Sequence, residues 1–68
     1  MKQIDTRGLS CPQPVVLVNN EIQTGNVAFE VLLDSQASLE NVARLLNKNK
    51  LKFEISDLGE HFIYHVNR

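Results

Sequence analysis

The chain has 68 residues, with seven basic and eight acidic side chains and a formal charge of −1 at pH 7. A chain of this size forms one small domain that buries only about 60% of its unfolded surface, which leaves no room for a large internal pocket. The balanced charge lacks the strongly basic surface of a nucleic-acid-binding protein, so we expect no direct nucleic-acid binding. No apolar run approaches the ~20 residues of a membrane span. The first residues lack the apolar core of a signal peptide, which predicts a cytoplasmic protein.

The first predicted element is a short β-strand from Lys2 to Thr6, in which Ile4 is the apolar member. Gly8 breaks the strand pattern, and we therefore expect residues 7–10 to form a connector.

A helix is predicted to begin at Cys11-Pro12-Gln13-Pro14. Proline suits the first turn of a helix, because the N–H groups there have no partner within the helix. We expect Cys11 to be the N-cap and the helix to cover roughly residues 12–24, with Gly25 as its terminator.

A second strand and a second helix follow. The strand is indicated by apolar residues at every second position, namely Val27, Phe29, Val31 and Leu33. Asp34 and Ser35 are both candidate N-caps for the helix. Its buried face is predicted to consist of Leu39, Val42, Ala43 and Leu46.

The chain closes with a predicted antiparallel hairpin. Its first strand carries Leu51, Phe53 and Ile55, and its second strand runs from His61 to Asn67 around a turn at residues 58–60. The order β-α-β-α-β-β predicts an α/β two-layer sandwich, in which a mixed four-stranded sheet has both helices on one face. A right-handed crossover makes the first two strands parallel. We expect residues 1–68 to form a single domain whose second sheet face is partly uncovered and available for contacts.

Cys11 is the only cysteine of the chain, so an internal disulfide and a Cys-x-x-Cys redox pair are both excluded. A thiol at a helix N-terminus has a lowered pKa, because the helix dipole and the free N–H groups favour negative charge. Pro12 and Pro14 have no N–H, so we predict the Gln13 N–H as the donor nearest to the sulfur. Arg7 is a candidate for electrostatic support of the thiolate, whereas Asp5 would oppose it if it were close.

These residues also form a recognisable motif. An Asp, a Gly three residues later, and a Cys-Pro-x-Pro three residues after that are present as Asp5, Gly8, Cys11, Pro12 and Pro14. The chain therefore resembles the TusA/SirA-like sulfur-carrier family, whose sandwich has the same element order. The stretch Leu33 to Arg44 is similar to YedF-type members, which are associated with selenium metabolism and often carry a further domain. If the chain is of the YedF type, we expect it to be one domain of a longer protein.

The resemblance implies that Cys11 accepts sulfur as a persulfide from a cysteine desulfurase-like donor and passes it to an acceptor protein. In TusA the sulfur goes to thiolation of transfer RNA, and selenium is an alternative cargo in YedF-type members. It also implies that Pro12, Gln13 and Pro14 shape the site, that Asp5 and Gly8 support it, and that no cofactor takes part. Such a protein is a sulfurtransferase-like carrier more than a self-contained enzyme.

Two other functions stay open at this point. One is a regulatory or RNA-binding module that uses the open sheet face and the lysines at positions 48, 50 and 52. The other is a redox sensor in which Cys11 is oxidised to sulfenic acid. A metal site at His61 and His65 is not expected, because two residues four apart on a strand are separated by about 13 Å.

Overall fold

The structure is a computed structural model that describes residues 2–10 and 12–67. Within these ranges it contains the strands β1 (Lys2–Asp5), β2 (Phe29–Leu33), β3 (Lys52–Asp57) and β4 (Phe62–Asn67). Helix α1 (Gln13–Gln23) connects β1 to β2, and helix α2 (Gln36–Lys48) connects β2 to β3. The predicted element order is confirmed.

The four strands form one mixed sheet in the order β1-β2-β4-β3. β1 and β2 are parallel, with Ile4 opposite Val31, and β4 pairs antiparallel with both β2 and β3. The predicted parallel crossover and the predicted C-terminal hairpin are thus both present. Because β1 and β2 are parallel, their carboxyl ends lie at the same edge of the sheet, where the chain passes from β1 towards α1.

The core lies between the sheet and the two helices. Alternate residues of the strands point into it, and α1 and α2 cover them with Val18, Leu39, Val42 and Leu46. The buried strand residues on this face are Ile4, Phe29, Val31, Leu33, Tyr64 and Val66. Burial at this density supplies most of the stability of the fold, since each fully buried aliphatic or aromatic side chain contributes about 1.5–3 kcal/mol.

Two polar contacts fix the helices against the sheet. The Tyr64 hydroxyl donates to the Leu39 carbonyl oxygen of α2 at 2.9 Å, and burial raises the pKa of this phenol. Lys2 of β1 forms an ion pair of 2.8 Å with Glu21, a buried residue of α1. Tyr64 is therefore a core residue whose hydroxyl has a hydrogen-bond partner.

The ends of the elements differ from the prediction by one to two residues. Ser35, one of the two predicted candidates, is the N-cap of α2, and its side chain accepts the Ser38 N–H at 3.2 Å. The predicted N-cap of α1 is wrong, because the helix begins at Gln13 with Pro12 as its N-cap.

Candidate functional site: the turn between β1 and α1

The site is built around the segment that leads from β1 into α1. Cys11 itself lies outside the described residues, and so do the predicted exposure and lowered pKa of its thiol. Its neighbours Ser10 and Pro12 are described and exposed. The Gln13 N–H donates to the Ser10 carbonyl oxygen at 2.9 Å, a turn-type hydrogen bond directly before α1. This turn displaces the start of the helix to Gln13.

Few N–H groups remain available in the first turn of α1. Pro12 and Pro14 have none. The Gln13 N–H, predicted as the donor nearest to the sulfur, is already bonded to Ser10, and the Val16 N–H donates to the Pro12 carbonyl oxygen at 3.1 Å. Only the Val15 N–H makes no hydrogen bond to any residue in 2–10 or 12–67. The helix therefore favours an anion before its start through its dipole more than through a cluster of direct donors.

Asp5 and Arg7 form a compact ion pair in front of the turn. The Asp5 carboxylate accepts from the backbone N–H of Arg7 at 3.1 Å and from its Nε and Nη2 atoms at 2.9 Å each. The hydrogen bonds from the Arg7 side chain, and then the one from its backbone, lower the pKa of Asp5 to about 2. Because the two charges compensate each other, Arg7 gives little net positive potential to a nearby thiolate. Asp5 stabilises this turn through its three hydrogen bonds from Arg7.

Asp34 is a site residue that sequence reasoning missed. Its carboxylate accepts the Gly8 N–H at 2.7 Å and so attaches the turn before Cys11 to the end of β2. Gly8 has a φ of 80°, a left-handed conformation that disfavours other residues, which explains the need for glycine here. The available signal was the position of Asp34 directly after a parallel strand, at the edge shared with the end of β1.

Thr6 anchors the same segment from inside. It is 1% exposed, and both its N–H and its hydroxyl donate to the Leu32 carbonyl oxygen of β2. The Leu9 N–H in turn donates to the Thr6 carbonyl oxygen at 3.2 Å. The segment before Cys11 is thus attached at two points. Buried Thr6 binds Leu32 of β2, and exposed Gly8 binds Asp34, the residue after β2.

Two grooves flank the start of α1. One, of about 330 Å³, is lined by Leu9, Gln13, Val16 and Leu17, and the side chains of Val16 and Leu17 are 48% and 38% exposed. The other, of about 260 Å³, lies between α1 and α2 and is lined by Pro12, Val15, Asn41, Arg44, Leu45 and Lys48. A protein partner that docks at the start of α1 would therefore meet partly apolar surface in both grooves.

The uncovered face of the sheet carries a row of hydrogen-bonded polar side chains. Gln3 Nε2 donates to Glu30 at 3.0 Å, and the other oxygen of Glu30 lies 2.7 Å from His65 Nδ1. His65 Nε2 is 3.0 Å from the Ser56 hydroxyl. The hydrogen bond from Gln3, followed by the one from His65, lowers the pKa of Glu30.

The two histidines of the sequence are not equivalent. His65 belongs to β4 and to this polar row, whereas His61 precedes the strand. Across the part of the chain that the structure describes, no three His, Cys, Asp or Glu side chains are grouped so as to hold a metal ion.

The fold is a two-layer α/β sandwich, and the single cysteine of the sequence directly precedes the N-cap of its first helix. These two features define a class of small thiol-bearing domains. The family model of sulfurtransferase TusA matches residues 2–68, and the chain belongs to this family, whose role is sulfur carriage and transfer. The resemblance seen in the motif from Asp5 to Pro14 is thereby confirmed.

One solved structure confirms the fold. It is the crystal structure of a SirA-like protein from Desulfitobacterium hafniense, which superposes with a TM-score of 0.84 at 21% sequence identity. The match covers 97% of this chain and 95% of that chain. No curated protein matches the sequence significantly. Among the described residues, no helix is both long enough and apolar enough to cross a membrane.

Proposed function

We propose that this protein carries sulfur as a persulfide on Cys11, which it takes from a cysteine desulfurase-like donor and passes to an acceptor protein. The observation that carries the proposal is the position of the only thiol of a TusA-family chain: Cys11 directly precedes Pro12, the N-cap of α1. The dipole of α1 favours an anion at this end of the helix, and a persulfide is anionic when it is ready to react.

The exchange balances with one cysteine. The Cys11 thiolate attacks the terminal sulfur of a persulfide on the donor, the sulfur–sulfur bond of the donor breaks, and the donor thiolate leaves. The acceptor then attacks the outer sulfur of the Cys11 persulfide, and the Cys11 thiolate is released. Since the chain contains no second thiol, discharge requires a nucleophile from another molecule.

The surroundings of the site suit a carrier more than an enzyme. Asp5 and Arg7 neutralise each other, and the grooves beside Pro12 and Gln13 are open and partly apolar. Such surfaces allow a partner to dock and bring its own catalytic groups to the sulfur. A lasting free thiol also requires a reducing compartment, which places the protein in the cytoplasm under this proposal.

The test is sulfur loading followed by intact mass measurement. The protein is incubated with a cysteine desulfurase and cysteine, and we expect a gain of one sulfur atom that a thiol reductant removes. Cys11→Ser serves as the control and should gain nothing. Absence of the gain in the native protein, under conditions that load another TusA-family carrier, would refute the proposal. Repeating the experiment with a selenium donor tests whether the site accepts selenium as the YedF-type resemblance suggests.

The alternative of an RNA-binding module receives less support from the open sheet face. Glu30 of β2 and Glu54 of β3 lie on either side of His65 of β4, and both line the same cavity as Lys52. Carboxylates on this face repel the phosphate backbone, which dominates the affinity of nucleic-acid binding.

A further inference from the structure

The groove between α1 and α2 combines an apolar floor with two cations. Its apolar lining includes Val15 of α1 and Leu45 of α2, which are half-buried, and Pro12, which follows residue 11 in the sequence. Arg44 and Lys48 are exposed on α2 and line the groove. Residues four apart on a helix lie about 5–6 Å from each other, so the two charges are neighbours on the side of the groove that α2 forms.

These two cations are not compensated within the described part of the molecule. Lys2 and Arg7 are paired with Glu21 and Asp5, but neither Arg44 nor Lys48 forms an ion pair with any residue in 2–10 or 12–67. Arg44 Nη1 donates to Asn41 Oδ1 at 3.2 Å, a contact with a neutral side chain that leaves the positive charge uncompensated. The groove therefore presents positive charge next to apolar surface.

The lysines near the end of α2 do not form one basic patch. Lys48 lines the α1–α2 groove, whereas Lys52 lines a different cavity together with Glu30, Glu54 and His65. The structure thus separates the cations that the sequence places together. Lys48, and not Lys52, lines the same groove as Arg44 and Pro12.

We propose that this groove binds an acidic, amphipathic segment of the protein that exchanges sulfur with Cys11, a proposal that rests on the sulfur-carrier function. Carboxylates of the partner pair with Arg44 and Lys48, and an aliphatic side chain between them packs on Val15 and Leu45. Because Pro12 lines the groove and is the neighbour of residue 11 in the sequence, a segment bound there is close to residue 11. Charge pairing of this kind increases the association rate and fixes the orientation of the partner.

The first experiment tests the groove without any sulfur chemistry. A synthetic helical peptide, with two glutamates four residues apart and leucines between them, is titrated into isotope-labelled protein. We expect the largest amide shift changes at Val15, Arg44, Leu45 and Lys48, and at least a fivefold weaker binding when both glutamates are replaced by glutamine. No saturable shifts at these residues, or shifts produced there by a single-stranded RNA oligonucleotide but not by the peptide, would overturn the proposal.

The second experiment links the groove to sulfur exchange. Arg44→Glu combined with Lys48→Glu is compared with Lys50→Glu combined with Lys52→Glu, which changes the net charge equally but away from the groove. We expect the first double variant to be loaded by the cysteine desulfurase at least about tenfold more slowly, because attraction between exposed charges becomes repulsion. The second should stay within about twofold of the native rate, and the difference should shrink as salt shortens the screening length.

The outcomes separate the two proposals. If both double variants load equally slowly, or if the groove variant loads at the native rate, the groove proposal fails while the carrier function stands. A low-molecular-weight polysulfide serves as a second sulfur donor in this comparison. It reacts with Cys11 without docking in the groove, so it should load the native protein and both double variants at the same rate. If the native protein gains no sulfur from either donor, the carrier function fails, and the peptide titration alone then decides whether the groove binds acidic segments.

Discussion

Removing the Asp34 carboxylate is expected to loosen the turn before Cys11. In the native protein this carboxylate accepts the Gly8 N–H at 2.7 Å. Hydrogen bonds to charged groups contribute about 1.5–3 kcal/mol, but Asp34 is exposed and screened by water, so we expect Asp34→Ala to cost about 1 kcal/mol. That free energy corresponds to an opening equilibrium about fivefold larger for the turn.

Amide hydrogen exchange measures this effect directly. The Gly8 and Leu9 amides should exchange about fivefold faster in Asp34→Ala, and sulfur loading of Cys11 by a desulfurase should slow. Asp57→Ala is the matched control, because Asp57 accepts the Gly59 N–H at 2.9 Å in the β3–β4 turn and Gly59 also has a positive φ. It should lose similar stability without an effect on loading. Unchanged exchange at Gly8, or equal slowing of loading in both variants, would contradict this reasoning.

Three further predictions concern the same segment and the core. Arg7→Ala should raise the pKa of Asp5 from about 2 towards its ordinary value of 3.8, as followed by carboxyl NMR. Because this pKa is lower in the folded state, the pair stabilises the fold above about pH 4, and its contribution should disappear in acid denaturation curves as the pH falls towards 2. Gly8→Ala should cost about 1–2 kcal/mol in urea unfolding through backbone strain, since its added Cβ meets no atom within 4 Å among residues 2–10 and 12–67 other than its chain neighbours. Tyr64→Phe should cost about 0.5–1.5 kcal/mol, because it removes the buried hydrogen bond from the Tyr64 hydroxyl to the Leu39 carbonyl oxygen, which keeps its helical donor; a native-like unfolding midpoint would exclude that role.

The arrangement of strands and helices was predictable because each depends on a local pattern. Alternation at Phe29, Val31 and Leu33 marks a strand that is buried on the helix side, and Ser35 caps α2 through its own side chain. Helix α1 begins one residue later than predicted, because the Gln13 N–H donates to the Ser10 carbonyl oxygen. No sequence rule distinguishes that turn from a helix that begins one residue earlier.

The surroundings of the thiol were less predictable, since they depend on contacts between distant residues. The motif identified Asp5 and Gly8 as supports, but their partners Arg7 and Asp34 follow only from the folded geometry. Arg7 is an example. The sequence suggested that its charge supports Cys11, whereas in the structure its guanidinium is bound to the Asp5 carboxylate. The prediction that Cys11 itself is exposed and has a lowered pKa stays a prediction.

The attachment of the β1–α1 turn to β2 has a consequence for protein synthesis. Thr6 and Gly8 bind residues that lie 26 positions further along the chain. During synthesis, Cys11 therefore leaves the ribosome well before the residues that hold the turn in front of it have emerged. Until β2 has been added to the sheet, the nascent cysteine lacks these contacts, so we expect selective sulfur exchange to belong to the finished domain and to respond to substitutions in β2.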